Sequence, residues 1–399
     1  MVEPVQPQYT LRAELRGHLE DVRGCLSCEL GIATASRDKT VKLWVEDGAD
    51  YMCMSTFVGH TNYVGPLAYL PADISPDYPN AALVSGSRDT NVMVWDPDTA
   101  APLATLAGHT YQVTGVAVLT TGEIVSGALD KTVRVWKGGK AKVLEGHAGP
   151  VLAVVALPTG EFLSGSGDMT IKRWQGGKCV HTYKGHTDTV RGLAVLPGGG
   201  GFVSASHDMT CKVWSIEGEV LAELVGHTAL VYAVACLEGG IIASGSEDNT
   251  VRVWTAAGQC LQVIEHLGCV WDLAFTPEGD LITGCADSVA RVWSAAPERQ
   301  GPPELAAAYT ATLASIKEQR AAAAGTGEAA GGAEAGGEGA LPPGVKVEDA
   351  HMLQQPGTKD GQHKFVKEAS GAVSAYTWDA KGWQWEKIGE VVSAPSGAQ

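Results

Sequence analysis

Histidine and aspartate return together seven times, at His18/Asp38, His60/Asp89, His109/Asp130, His147/Asp168, His186/Asp208, His227/Asp248 and His266/Asp287. A serine stands two residues before the aspartate in five copies: Ser36, Ser87, Ser166, Ser206 and Ser246. Ala128 and Cys285 hold that place in the third and seventh. Hydroxyl, imidazole and carboxylate are the parts of a nucleophilic hydrolase, in which the base takes the hydroxyl proton and the acid orients the base. An active site is not built seven times in one chain, so the set reads as structural. Cys25 and Cys28 form a CxxC pair. A structural zinc site needs four ligands, and no second pair stands nearby, so no metal is expected there. No cofactor is expected either.

The spacing around these residues shows what positions them. A tryptophan follows each aspartate by six residues, at Trp44, Trp95, Trp136, Trp174, Trp214, Trp254 and Trp293. Gly226–Trp254 is representative: a Gly-His opening, an alternating run through Val231, Ala233 and Ala235, a Gly-Gly turn, a second run Ile241–Ser244, and a turn carrying Asp248. Period-2 alternation with Gly, Asn and Asp punctuation predicts short strands joined by turns. So small a sheet cannot bury its apolar face alone. A period near forty residues with these marks predicts a seven-bladed β-propeller, an all-β fold.

Segments such as Leu103–Ala107, Lys142–Glu145 and Val220–Val225 supply an outer strand before each opening. None follows Trp293, so residues 9–16 are expected to complete the seventh blade and close a ring over 9–294, which removes an exposed edge. Pro71–Pro79 lengthens the His-to-Asp interval of the second copy and reads as a surface loop.

The repeats resemble the WD-repeat family, although only Trp95 carries the signature aspartate after it, Asp96. The resemblance implies a hydrogen-bonded tetrad in each blade, for example His18/Ser36/Asp38/Trp44, His186/Ser206/Asp208/Trp214 and His227/Ser246/Asp248/Trp254. Blades three and seven, with Ala128 and Cys285, are then expected to be slightly looser.

A formal net charge of −16 and a pI near 5.1 argue against nucleic acid or an anionic membrane as the main partner, since both need a basic field. No basic-then-apolar leader opens the chain and no apolar run is long enough to span a bilayer. Nine cysteines, an odd number scattered through strand patterns, suit reduced thiols in cytosol or nucleus. After the repeats, Pro302-Pro303 can start a helix with Leu305, Tyr309, Leu313 and Ile316 on one face, Lys317 and Arg320 in the last turn, and Gly325 as its end. A Gly/Ala/Glu-rich linker runs to about 345. From 346 the chain alternates again, with three strands expected at His363–Lys367, Ala372–Trp378 and Trp383–Lys387, an incomplete module.

Pro356-Gly357, Asp360-Gly361-Gln362, Ala375-Tyr376, Trp378 and Ile388–Val392 resemble the ubiquitin-binding module of the phospholipase-A2-activating protein family. Arg37–Val41 and Val270-Trp271 resemble that family's propeller. The resemblance implies a non-catalytic adaptor in ubiquitin-dependent degradation and ubiquitin recycling. It also implies cytoplasmic and nuclear residence, with ubiquitin and ubiquitinated proteins as partners. An AAA unfoldase would bind through a C-terminal domain that this sequence does not contain. A generic WD-repeat scaffold would share the propeller but not the tail. An enzyme would gather acids, bases or metals at the axis, and these repeats do not.

Propellers of this kind bind partners on the face that carries the Gly-His and Asp turns. Three positions per repeat point there: the third and fifth after the histidine and the one before the aspartate. They nominate Asp21, Arg23, Arg37, Tyr63, Arg88, Tyr232, Glu247 and Trp271 for ubiquitin, whose apolar patch is rimmed by basic residues. Trp271 is expected either as an exposed indole at the channel rim or, alternatively, folded inward to fill the channel mouth.

Overall fold

The computed structural model describes residues 8–48, 50–325, 347–349, 363–367, 373–379 and 384–391. The chain divides into two compact units, Met1–Ala321 and Ala322–Gln399.

The first unit is a seven-bladed propeller of four-stranded antiparallel sheets. The innermost strands are Val22–Cys28, Val64–Leu70, Val113–Val118, Val151–Ala156, Val190–Val195, Val231–Leu237 and Val270–Phe275. Each begins with a buried valine. The cores lie between blades: Ala33, Val41, Leu43 and Phe57 of blade one pack on Val64, Leu83, Met93 and Trp95 of blade two. The ring closes as the sequence implies. Thr10–Arg16 pairs antiparallel with Val289–Ser294, so the amino-terminal strand is the outer strand of blade seven. The Pro71–Pro79 insertion lies between the first two strands of blade two and is pinned to blade three, where Asp77 accepts the Gly138 N–H at 2.5 Å.

Every innermost strand carries a β-bulge just after its first residue, as between Val22 and Gly24 and between Val270 and Asp272. A bulge leaves a residue unpaired and re-aims its side chain. In blades one, six and seven that residue is Arg23, Tyr232 and Trp271, the fifth after each histidine.

The tetrads exist, but their hydroxyl is not the expected one. His18 Nδ1 contacts Asp38 at 2.8 Å, and His18 Nε2 and the Trp44 indole N–H both meet Thr34 Oγ1 at 2.8 Å. The same geometry recurs through Ser85, Ser126, Ser164, Ser204 and Ser244. Ser36, Ser206 and Ser246 lie two residues further on and do a different job. Each donates to a carbonyl of the opening turn and accepts the backbone N–H of the tetrad aspartate, as Ser36 does from Glu20 to Asp38. Blade three is therefore complete through Ser126, and the expected weakness at Ala128 concerns only this turn brace.

The seventh blade differs. His266 Nε2 and the Trp293 indole share Thr283, but His266 Nδ1 faces the Ile264 carbonyl at 3.2 Å. Asp287 turns to Arg291, which holds it at 2.6 Å and 3.1 Å. Helix α1, Pro303–Gly325, packs beside this blade. Leu305, Tyr309 and Leu313 share its inner face, as the spacing implies. Tyr309 lies edge-on to Trp293, stands over the Arg291 guanidinium and donates to the Glu265 carbonyl at 3.0 Å. Lys317 pairs with the Glu265 carboxylate at 2.6 Å. The helix ends at Gly325 as the sequence implies, but Lys317 and Arg320 precede its last turn rather than lying in it.

In the second unit, Val347–Asp349 runs parallel to His363–Lys367, and Val373–Asp379 and Gln384–Val391 continue the sheet antiparallel. The three-residue first strand is too short for a sequence signal. The linker and the Pro356–Gln362 motif lie outside the described residues. No described helix is long and apolar enough to cross a membrane.

A candidate partner-binding face at the channel mouth

The face that carries the Gly-His and Asp turns is organised by one repeated bond. In all seven blades the residue before the aspartate donates its backbone N–H to the carbonyl of the third residue after the histidine, at 2.8–3.0 Å. This joins Asp21 to Arg37 and Tyr63 to Arg88, and Glu247 to Leu230. Two of the three nominated positions thus sit side by side in each blade, and the bulge brings in the third.

The nominated residues form one network around the channel mouth. Asp21 accepts from Arg23 at 3.0 Å and lies 3.7 Å from Arg37. The Arg37 and Arg88 guanidiniums stand 5.9 Å and 5.3 Å from the Tyr63 ring, whose hydroxyl donates to Gln112. On the other side of Arg23, its guanidinium covers the Trp271 indole at 3.5 Å. Trp271 in turn stacks on Tyr232, with centroids 4.7 Å apart and planes inclined by 27°, and Tyr232 meets His207 edge-on. Burial, with the nearby Glu247 next, raises the Tyr232 phenol pKa well above its usual range.

Trp271 is therefore not the exposed indole expected from its position. It is half-buried, sandwiched between Arg23 and Tyr232, and presents an edge rather than a face. Its Nε1, with His207 Nε2 and Arg23 Nε, is buried without a hydrogen-bond partner within the protein. Such unsatisfied groups are uncommon in folded proteins and cost free energy unless a ligand or water pairs with them. Tyr232 and Arg88 are also largely covered, while Asp21, Arg37, Tyr63 and Glu247 keep part of their surface open.

Arg191 and His207, which occupy the same face-pointing positions of blade five, and Asp272, which sequence reasoning missed, complete the mouth. Arg191 donates to the Leu152 carbonyl at 3.0 Å. Burial and the Arg191 charge push the His207 pKa down to about 4, which keeps the ring neutral. Asp272 accepts the Cys25 N–H at 2.9 Å, and burial raises its carboxyl to about 6 against that bond. The signal for Asp272 was present: the sixth residue after the histidine is Gly24, Pro66, Gly115, Ala153, Gly192 and Ala233 in the other blades. Among the described residues no group of His, Cys, Asp and Glu could hold a metal ion. Cys25 and Cys28 lie in the first strand of blade one, with the Cys25 thiol raised by burial and by Asp272.

Comparison with known proteins fixes the lineage. The WD domain, G-beta repeat family matches seven segments between residues 9 and 294, and the PFU (PLAA family ubiquitin binding) family matches residues 355–399. The chain belongs to the phospholipase-A2-activating protein family. It is 34% identical over 390 residues to Ubiquitin homeostasis protein lub1 of Schizosaccharomyces pombe, covering 97% of this chain and 51% of that protein. It is 35% identical over 238 residues to Protein DOA1 of Saccharomyces cerevisiae, covering 57% and 32%. The chain thus spans about half the length of the first relative and less of the second. The crystal structure of the WD40 beta propeller domain of Doa1 matches with a TM-score of 0.66 and 33% identity, over 73% of this chain and 99% of that one.

Proposed function

We propose that this member of the family is a non-catalytic ubiquitin-binding adaptor. It would serve ubiquitin-dependent degradation and ubiquitin recycling, in cytoplasm and nucleus, alongside an AAA unfoldase. The propeller face around Arg23, Trp271 and Tyr232 takes one ubiquitin, and the module at 355–399 takes another. The observation that carries the propeller's part is convergence. Residues drawn from blades one, two, six and seven form one continuous aromatic and charged network on one face. Arginine, tyrosine and tryptophan dominate interface energetics, and the apolar column beside Asp21 and Glu247 suits a partner with a basic-rimmed apolar patch. The name of the fission-yeast relative supports the pathway, and the PFU match supports the second site.

Titration calorimetry of ubiquitin into the whole chain tests this. Trp271→Ala removes the indole edge and the support beneath Arg23, and should weaken one of two binding events by about 2 kcal/mol. Asp21→Arg should weaken the same event through repulsion of a basic partner. Two unchanged events in both variants, with wild-type melting, would move the site off this face.

A further inference from the structure

Arg191 takes the bulge position of blade five, unpaired between Val190 and Gly192, as Tyr232, Trp271 and Arg23 do in the next three blades around the ring. The four side chains make one arc over the channel: a guanidinium, two stacked rings 4.7 Å apart, and a second guanidinium over the indole. This arc is rich in donors and short of acceptors. Arg23 is answered by Asp21 at 3.0 Å, yet its Nε and the Trp271 Nε1 are buried without a partner, and both atoms can only donate. Arg191 gives one N–H to the Leu152 carbonyl at 3.0 Å. Among the described residues its guanidinium has no other hydrogen bond and no carboxylate within ion-pair distance. Asp272 lies within its electrostatic reach but is held by the Cys25 N–H. Burial, the largest influence, lowers the Arg191 pKa from its ordinary value, as befits a cation that has lost water without gaining a direct counter-ion. Blade two supplies the room. Its bulge carries Gly65, three blades from Arg191 around the ring, and a Cβ built there would meet no atom within 4 Å. Arg191 is also within electrostatic reach of Tyr63 in that blade, so its guanidinium stands over the channel rather than folded onto its own blade.

We propose that the channel mouth is a carboxylate-binding site, in which Arg191 holds the anion and the gap at Gly65 admits the peptide that carries it. The planar fork of an arginine matches a carboxylate with two parallel hydrogen bonds. One guanidinium without a direct counter-ion suits a monoanion rather than a doubly charged phosphate. A peptide offers this group from its chain terminus or from an Asp or Glu side chain, and the recognition chemistry is the same for both. The site stands whether or not the face takes ubiquitin.

Indole proton–nitrogen NMR spectra of the whole chain test this, with the Trp271 signal identified by its loss in Trp271→Phe. The probes are acetyl-Gly-Gly with a free carboxylate, the same peptide as its amide, and acetyl-glutamate amide. The free acid, the glutamate probe or both should shift the Trp271 signal saturably, and the one that does identifies the source of the carboxylate. The Gly-Gly amide should not. Arg191→Gln should weaken carboxylate binding by about tenfold or more, the loss of a charge-assisted bond. Arg191→Lys, which keeps the charge without the fork, should weaken it several-fold. Gly65→Leu fills the gap without backbone strain and should block binding. Unchanged indole signals from the seven tetrad tryptophans report an intact propeller in each variant, and where Arg191→Gln disturbs them the other two variants decide. An amide that shifts the signal as strongly as the acid, no shift with any probe, or a carboxylate response that survives in the folded variants overturns the site. Inorganic phosphate that binds more tightly than either carboxylate overturns its assignment to a monoanion.

Discussion

Six blades and the seventh solve the same problem by different means. In blades one to six the turn aspartate is held by its own blade's histidine at 2.7–2.8 Å. In five of them a threonine two residues on also donates to it. Burial opposes these carboxylates, but the bonds from histidine and threonine outweigh it, so that Asp38 and Asp208 titrate well below the usual range. In blade seven Val289 replaces the threonine, and Asp287 pairs with Arg291. Arg291, almost fully buried, also binds Glu14 of the amino-terminal strand and lies under Tyr309 of α1. His266, left against Arg291 and a carbonyl, is pushed down to about 3, first by burial and then by that charge. The regular blades are braced locally. The seventh is braced by both ends of the repeat region, and this is where the ring must close.

The largest difference should follow removal of the closing strand. Deleting residues 1–16 strips blade seven of its outer strand and of Glu14, and should give aggregation on size-exclusion chromatography. A soluble monomer with an unchanged melting temperature would show that closure does not depend on this strand.

Arginine replacement sharpens the comparison. Arg291→Ala leaves Asp287 and Glu14 without their cation in a buried setting and should cost about 3–5 kcal/mol in urea titration. Arg252→Ala, at the equivalent position of blade six and half-buried beside Trp254, should cost about 1 kcal/mol or less. Equal losses would mean that Arg291 is no special brace.

Within the regular blades, Asp208→Ala and Asp130→Ala should each cost about 1–3 kcal/mol. They should cost the same, because Ser126 completes the third tetrad as Ser204 completes the fifth. A markedly smaller loss for Asp130→Ala would restore a role for Ala128.

The smallest effect concerns Asp272, again a peculiarity of blade seven. Its folded pKa, about 6, lies above that of the unfolded chain. The folded state therefore holds the proton more tightly, and stability falls as pH rises from about 4 through 6. Asp272→Asn keeps an acceptor for the Cys25 N–H and should stabilise the protein by about 1–2 kcal/mol at pH 7 and hardly at all at pH 4. A gain independent of pH would place the cause elsewhere than in the charge.

How far these features could be read from the sequence depended on their range along the chain. The seven-fold repeat, the closing strand and the helix face were legible because each is a periodic or positional signal. The tetrad hydroxyl was misplaced by two residues, since period-2 strands put both candidates on the same face. The deciding clue was an unbroken column: Thr34, Ser85, Ser126, Ser164, Ser204, Ser244 and Thr283 carry a hydroxyl in every copy, whereas the other column fails at Ala128 and Cys285. At the channel mouth the positions were legible and their mutual contacts were not. Arg23 covers Trp271 only because the ring brings blade one against blade seven, and no local pattern encodes a contact across nearly the whole repeat region. The sandwich that hides the indole face was invisible for the same reason.

Hydrogen exchange of the whole chain with and without saturating ubiquitin tests the central claim most directly. Added protection should appear at the turn amides of Arg37, Arg88, Glu247 and Ala286, which bond across this face, and in short peptides around Asp21, Tyr63, Tyr232 and Trp271. The turns on the opposite face, Pro71–Pro79 and Gly279-Asp280, should not change. Protection confined to residues 355–399, or appearing on the opposite face, would contradict a ubiquitin site at the channel mouth.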